Sequence, residues 1–145
     1  ITSSITTPIT ACLAALKTLR GKKIGLLTPY VDEVNSRIRR YFETYGYQIN
    51  KSVTFSEIDD NRAGMITPKS ISDAVINQFS GEDIDFIFIS CTSLRAVDLI
   101  PMLESKLQCN VTTSNHALAW HMLRLSGIND QYSNRGELFK KEMLS

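Results

Sequence analysis

The sequence predicts an α/β fold in which a parallel sheet of about four to five strands carries helices on both faces. Short apolar runs alternate with segments of helical periodicity along the chain, which is typical of βαβ units. The run DIDFIFIS (83–90) is apolar on both faces, as the strands of parallel sheets are. N-cap residues and glycines stand where the helices should begin and end. We therefore expect a three-layer domain of flavodoxin-like or Rossmann-like shape.

The first part of the chain reads as strand, helix and strand. KKIGLLTP (22–29) is a short apolar run closed by Thr28 and Pro29, and it predicts the first strand. YVDEVNSRIRRYFETYG (30–46) places its apolar residues at helical spacing, and its last glycine suits a helix stop. YQINKSVTF (47–55) then predicts a second strand, because its apolar residues partly alternate.

The remaining elements continue the alternation. A polar loop, SEIDDNRAGMITP (56–68), precedes a helix for which Thr67 is the expected N-cap. After the third strand, LRAVDLIPMLESKL (94–107) predicts a helix with a late start or a kink at Pro101. CNVTTS then predicts the fourth strand, and we expect Ser114 to cap the last helix.

Composition and charge exclude several classes of protein. The 145 residues suffice for one ordinary domain, and 16 basic residues nearly balance 15 acidic ones. There is no basic stripe, so we expect no nucleic acid partner. No apolar run is long enough to span a bilayer, so we expect no membrane partner either. Three cysteines are an odd number without regular spacing, which favours a reducing, cytoplasmic setting.

An internal similarity suggests more than one α/β unit. ITTPITACLAALKTLRG (5–21) aligns without a gap on VTTSNHALAWHMLRLSG (111–127), and each segment reads as a strand end, a Thr-Thr turn and a helix stopped by glycine. The chain also begins without methionine. We therefore expect 1–21 to be the end of a preceding similar domain, 22–128 to be a complete second domain, and 129–145 to be a polar, surface-lying tail.

Cys91 is the sharpest candidate for chemistry, because it stands where the third strand ends. Ligands of parallel sheets gather at the carboxyl ends of the strands. A following helix N-terminus, and Arg95 if it turns inward, would favour a thiolate there, and the backbone N–H groups of Thr92 and Ser93 could bind a carboxylate or an enolate. The alternative is a small core residue, since free cysteines are usually buried. Cys12 and Cys109 fit that structural role better.

Other polar residues follow the strands. Tyr30, after the first strand, could offer its hydroxyl to an anion or simply pack with a solvated tip. Asp59 and Asp60 suggest a metal, but turn formation explains them better, because no histidine or third acid lies at ligand spacing. Asn61 could donate its amide to a carboxylate.

The remaining motifs are absent or structural. His116 and His121 lie five residues apart in a predicted helix and are not placed as a pair of metal ligands. Trp120 is expected in the core. The sequence has no GxGxxG turn, no P-loop and no GxSxG elbow, so dinucleotide binding, P-loop chemistry and a serine hydrolase are not supported.

Three segments follow the strands in order: KKIGLLTPYVDEVNSRIRRYFETYGY, IDDNRAGMITP and FISCTSLRAVDLIPMLESKL, the last continued by VTTSNHALAWHMLRLSG. Together they resemble the second half of maleate cis-trans isomerases, which belong to the aspartate/glutamate racemase superfamily with the arylmalonate decarboxylases. The resemblance extends from about Ile5 to Gly127. It implies two similar α/β domains with an active site between them, and neither a metal nor an organic cofactor.

The resemblance also implies roles for individual residues. Cys91 matches the second-half cysteine, as an acid/base thiol or as the partner of the nucleophile. Tyr30 and Asn61 match residues that bind substrate carboxylates, and Thr92 would lend its backbone N–H. His116 departs from the pattern, because a glutamine is expected there in many relatives.

The expected function is therefore that of the C-terminal domain of a cysteine-dependent isomerase acting on a small dicarboxylate. The first-half cysteine would lie before Ile1, so we expect this chain alone to be inactive and to need the missing N-terminal domain within a homo-oligomer. Two alternatives stay open. One is a decarboxylase or amino-acid racemase of the same superfamily, in which one thiol reprotonates a carbanion. The other is a non-catalytic ligand-binding domain of flavodoxin-like shape.

Overall fold

The computed structural model of the protein describes residues 4–144, which contain one four-stranded sheet in the order β2-β1-β3-β4. All three strand pairings are parallel, and helices cover both faces, so the predicted fold class is confirmed. The strands are β1 Lys23–Thr28, β2 Gln48–Thr54, β3 Phe86–Ile89 and β4 Asn110–Thr113. The helices are α1 Pro8–Leu19, α2 Asp32–Thr44, α3 Asp60–Ala63, α4 Pro68–Phe79, α5 Ile100–Leu107 and α6 Ser114–Leu125.

Side chains of the central strands alternate between two hydrophobic cores. On β3, Phe86 and Phe88 face the core formed with α1, α2 and α6, whereas Ile87 and Ile89 face the core formed with α4 and α5. All four side chains are buried. This two-residue period follows from the pleat of a strand. Because each such side chain contributes roughly 1.5–3 kcal/mol when it leaves water, β3 has to be apolar on both faces.

Threonine side chains cap the N-termini of three helices, α1, α4 and α6. Thr67 accepts a hydrogen bond from the Ser70 backbone N–H (3.1 Å), as expected for the N-cap of α4. The N-cap of α6 is Thr113, which accepts from the His116 N–H (3.1 Å). The expectation that Ser114 caps α6 is therefore wrong by one residue: the strand and the helix abut, and the last strand residue has the extended backbone that an N-cap needs.

The segment between β3 and α5 is a loop that ends in a short 3-10 turn. A 3-10 turn over Val97–Leu99 leads into α5, and Pro101 lies in the first turn of that helix. The expected late start is thus confirmed, because proline is tolerated where the N–H has no intrahelical partner. The loop expected at 56–68 contains the short helix α3, which Asp59 caps through the Asn61 N–H (2.8 Å).

Helix α1 and the C-terminal segment both pack onto α6. Leu16 of α1 and Trp120 of α6 belong to the same buried cluster as Leu138 and Phe139 near the C-terminus. The expected surface-lying tail is therefore wrong at Leu138 and Phe139, whose apolar side chains close one end of the core. The division of the chain into 1–21, 22–128 and 129–145 stays a prediction.

Arg124 holds the C-terminal segment against α6. Its side chain is 5% exposed, and its guanidinium donates to four backbone carbonyls, those of Ile128 (2.7 Å), Lys141 (3.0 Å), Asp130 (3.1 Å) and Phe139 (3.4 Å). A guanidinium carries five N–H donors in a planar fork, so it can bind several carbonyls of a chain that folds around it. Within residues 4–144, every helix falls short of the length and apolarity needed to cross a bilayer.

Arg124→Met is expected to lower the free energy of unfolding by about 3 kcal/mol. The methionine side chain replaces the aliphatic part of the arginine, but the backbone carbonyls lose their charged donor. Urea unfolding followed by circular dichroism measures the change. Arg40→Met, at an exposed position of α2, is the matched control and should change stability by less than about 0.5 kcal/mol. Equal effects of the two substitutions would contradict this role for Arg124.

Candidate active site

The parallel register gathers the four strand ends at one edge of the sheet. Thr28 at the end of β1 lies beside Thr54 of β2, and Ile89 of β3 lies beside Leu27 and Thr113. The loops that follow these strands contain all four residues singled out in the sequence. These residues therefore lie at the same edge of the sheet.

Cys91 lies two residues beyond the end of β3 and is 4% exposed. Its side chain belongs to the hydrophobic cluster that includes Leu94 and Ala96, with Tyr30 and Phe55 packed against it. Cys91 is therefore packed, and it also stands at the carboxyl edge with a small part of its surface open to solvent. Its chemical role stays a prediction.

A tight turn provides the donor nearest to the sulfur. The Ser93 backbone N–H donates to Cys91 Sγ (3.3 Å), and the Leu94 N–H donates to the Cys91 carbonyl (3.3 Å). The expectation that a helix N-terminus faces the thiol is wrong, because α5 begins only at Ile100. Arg95 is exposed and lines the cleft beside the turn, and within residues 4–144 it forms no hydrogen bond with the thiol. The donor beside the sulfur is therefore a turn amide rather than a helix N-terminus or a cation.

Tyr30 adjoins the thiol from the loop after β1. Burial, followed by the proximity of the Cys91 side chain and of Asp60, raises the pKa of Tyr30 well above its usual range. The hydroxyl therefore stays protonated at neutral pH and is a neutral hydrogen-bond donor. Its backbone carbonyl accepts from the Thr54 hydroxyl, so the loops after β1 and β2 are joined.

Asn61 lies on α3, close to the turn that carries Cys91. A Cβ added to Gly64, at the end of α3, would lie 3.8 Å from the Ser93 carbonyl oxygen. The Asn61 side chain is exposed and makes no hydrogen bond to any described residue, so its amide is available to a ligand. Asp59 caps α3, which confirms turn formation as the explanation for that acid.

Thr92 is exposed, and its carbonyl accepts a hydrogen bond from Asn115 Nδ2 (2.9 Å). The Thr92 N–H donates to no acceptor among residues 4–144. Asn115 is not among the candidate residues that the sequence alone indicates. Its signal was its position two residues after β4, at the same edge of the sheet as the loop after β3.

The two histidines have separate structural partners. His116 Nε2 lies 2.7 Å from the Arg135 carbonyl, which can only accept, so Nε2 carries the proton and Nδ1 accepts from the Thr112 hydroxyl (2.8 Å). His121 Nδ1 instead lies 2.7 Å from the Thr6 hydroxyl. Burial lowers the pKa of His116 to about 4. Among the described residues, no group of three or more acidic, histidine or cysteine side chains could hold a metal ion.

The cavity beside the turn is smaller than the cavity at the opposite edge. A cleft of about 340 Å³ is lined by residues that include Thr92, Arg95 and Asn115. A larger cavity, about 630 Å³, is lined by residues that include Asp85 and Asn110, where β3 and β4 begin. The smaller cleft lies near the carboxyl ends of the strands, where ligands of parallel sheets bind, and Thr92 is the candidate residue that lines it. Cys91, Tyr30 and Asn61 are not among the described residues that line this cleft.

Comparison with known proteins identifies the family. The arylmalonate decarboxylase family profile matches residues 3–139. The chain belongs to the arylmalonate decarboxylase family. It is 28% identical over 123 residues to an arylmalonate decarboxylase of Bordetella bronchiseptica, with 84% of this chain and 51% of that protein covered. It is 21% identical over 129 residues to a maleate isomerase of Alcaligenes faecalis, with 88% and 51% covered.

Solved structures of the family share the fold. A maleate cis-trans isomerase variant of Nocardia farcinica, with a covalently bound succinylcysteine intermediate, superposes with a TM-score of 0.86 at 19% identity, over 92% of this chain and 54% of that one. The chain thus spans about half the length of the curated relatives it matches. The resemblance stated from the sequence is confirmed at the level of the family.

The His116 environment predicts a pH-dependent stability. Its folded pKa of about 4 lies below the ordinary value of 6.5, so protons bind the unfolded chain more tightly. Stability is therefore complete above about pH 6.5 and falls as the pH drops toward 4, by about 3 kcal/mol at most. In His116→Gln this part of the loss should disappear, which urea unfolding at a series of pH values measures.

The control for this experiment is His121→Gln, which leaves His116 and its carbonyl partner in place. The control should retain most of the wild-type fall in stability between pH 6.5 and 4. A His116→Gln protein that loses stability over this range as steeply as the wild type would show that another group titrates.

Proposed function

We propose that the protein acts as a cofactor-independent, cysteine-dependent isomerase of a small dicarboxylic acid, in a reaction of the maleate cis-trans type. One observation carries the proposal: the Cys91 thiol, the protonated Tyr30 hydroxyl and the turn amide of Ser93 converge at the carboxyl edge of the sheet. A thiol with neutral donors around it can take negative charge and hold an anionic substrate without a cation that would quench it.

The proposed roles of the residues follow from what each one offers. Tyr30 and Asn61 bind substrate carboxylates through a hydroxyl and an amide, both of which donate while remaining neutral. The Thr92 N–H, which has no protein acceptor among the described residues, binds a carboxylate oxygen or the enolate that develops from it. Cys91 stands beside the reacting carbons as the acid/base thiol or as the partner of a nucleophilic thiol.

The proposed isomerisation is a thiolate addition followed by elimination. A sulfur forms a bond to one alkene carbon, and the displaced electron pair moves to the neighbouring carbon and its carboxylate. The C–C bond is then single and rotates. When the pair returns, the S–C bond breaks, the thiolate is restored and the alkene is trans. The succinylcysteine intermediate of the Nocardia farcinica isomerase is a covalent adduct of this kind in that protein.

A second, similar domain is part of the proposal. The relatives are about twice as long as the matched region, so about half of their length lies outside the part that this chain matches. We propose that a domain preceding this chain supplies the other cysteine and the other carboxylate-binding loop, and that this chain alone is inactive. The assembly would be a cytoplasmic homo-oligomer.

Decarboxylation is the second candidate reaction. It is favoured by the higher identity to the arylmalonate decarboxylase (28%) than to the Alcaligenes faecalis maleate isomerase (21%). In a decarboxylase or a racemase of this superfamily, a single thiol would protonate the carbanion that the same neutral donors stabilise. A cysteine at the matching position of the preceding domain would favour isomerisation, and its absence would favour decarboxylation.

Cys91→Ser in the longer protein is expected to lower kcat by about 10²–10⁴-fold, because a hydroxyl neither ionises near neutral pH nor adds to an alkene as a thiolate does. Turnover is measured with maleate by proton NMR, and with an arylmalonate by release of carbon dioxide. Cys109→Ser, at the opposite edge of the sheet, should keep wild-type turnover. Undiminished turnover of both substrates in Cys91→Ser would exclude the proposed role.

Tyr30→Phe is expected to reduce kcat/KM by about 10- to 100-fold, because the substrate anion and the thiolate lose a neutral donor that the ring alone cannot replace. Tyr45→Phe, on an exposed side chain beyond α2, is the control and should leave kcat/KM unchanged. If the two variants behave alike, the Tyr30 hydroxyl does not contact substrate.

A further inference from the structure

We infer that Asn115 is a positioning residue for the thiolate of Cys91, and that it acts through the peptide group between Thr92 and Ser93. The inference rests on the proposed function only for its importance to turnover. The contacts themselves, Asn115 Nδ2 to the Thr92 carbonyl (2.9 Å) and the Ser93 N–H to Cys91 Sγ (3.3 Å), are features of the described structure.

The two hydrogen bonds share one peptide group. The carbonyl of Thr92 and the N–H of Ser93 belong to the same planar unit, in which the oxygen and the hydrogen point in opposite directions. A donor that fixes the direction of the oxygen therefore also fixes the direction in which the N–H points. Asn115 thus orients a donor toward the sulfur without touching the sulfur.

Polarisation adds to this orientation. A hydrogen bond to a carbonyl oxygen draws electron density away from the amide nitrogen, so the N–H of that peptide becomes a better donor. The stronger N–H donor stabilises the thiolate more than the thiol, because a charged sulfur gains more from a hydrogen bond than a neutral one does. Loss of the Asn115 amide should therefore make Cys91 ionise less readily.

Asn115 is well placed to act in this way. It is the second residue of α6, and the start of that helix is fixed by Thr113, which accepts the His116 N–H. The turn on the other side is closed by the Leu94 N–H, which donates to the Cys91 carbonyl. Since a carbonyl can only accept, the Asn115 amide must present Nδ2 to Thr92.

A neutral amide suits this position better than a cation would. Asn115 is exposed and lines the cleft beside the turn. A lysine or arginine at this position would attract both the thiolate and the substrate anion, and the two anions would compete for the same cation. Asn115 acts on the sulfur through the backbone, and the free N–H of Thr92 stays available for substrate.

The test is the pH profile of iodoacetamide alkylation at Cys91, followed by peptide mass spectrometry so that Cys12 and Cys109 are counted separately. In Asn115→Leu, which keeps similar volume and removes the donor, the midpoint should move up by roughly 0.5–1 pH unit and the rate at pH 7 should fall by about 3- to 10-fold. An unchanged midpoint in a variant with wild-type circular dichroism would overturn the inference.

Two further variants complete the design. Asn50 makes the same kind of hydrogen bond, from Nδ2 to the Asp83 carbonyl (2.5 Å), at the opposite edge of the sheet, so Asn50→Leu is the matched control and should leave the midpoint unchanged. Asn115→Ala removes the donor without adding bulk or charge. It should also raise the midpoint, so the inference stays testable if Asn115→Leu does not fold.

A spectroscopic readout separates positioning from a general loss of structure. In Asn115→Leu the Ser93 amide proton should move upfield, as its hydrogen bond to sulfur weakens, while the Leu94 amide changes little. Turnover of the longer protein is measured in parallel. A shifted alkylation profile with unchanged turnover would support the inference and reject the catalytic role of Cys91. An unshifted profile rejects the inference whatever the turnover.

Discussion

The common direction of the four strands is the constraint on which the rest of the site depends. Because every pairing is parallel, each strand returns its loop to the same edge, and residues far apart in the chain meet there. Tyr30 and Cys91 are neighbours for this reason alone. The buried isoleucines and phenylalanines of β3 keep that strand in register, since a slip of one residue would exchange its two core faces.

The site at this edge is built from neutral donors rather than from cations. The Ser93 N–H and the Tyr30 hydroxyl lie next to the sulfur, while the exposed Arg95 forms no hydrogen bond with it among the described residues. Such donors are held in direction by the backbone, so they are in place before charge develops and need little rearrangement when it does. A site of this kind suits chemistry in which negative charge moves between a thiol, a carbanion and a carboxylate.

Helix α6 connects the site to the opposite core. Its first turn carries Asn115, which binds the loop of Cys91, and His116, which binds the Arg135 carbonyl. Its last turn carries Arg124, whose guanidinium gathers the carbonyls of the C-terminal segment. The C-terminal segment therefore stabilises the same helix that positions Asn115. The polar composition of this segment gave no indication in the sequence that Leu138 is buried.

The amino-acid sequence alone determined the order of strands and helices, the α4 cap at Thr67, the late start at Pro101 and the family, because these depend on local spacing and on short segments in order. Only the tertiary structure decided that Thr113 rather than Ser114 caps α6, that a turn amide rather than a helix N-terminus faces Cys91, and that Asn115 reaches Thr92. Each of these depends on where two separate segments stop relative to each other, and hydrophobic periodicity carries no information about such distances.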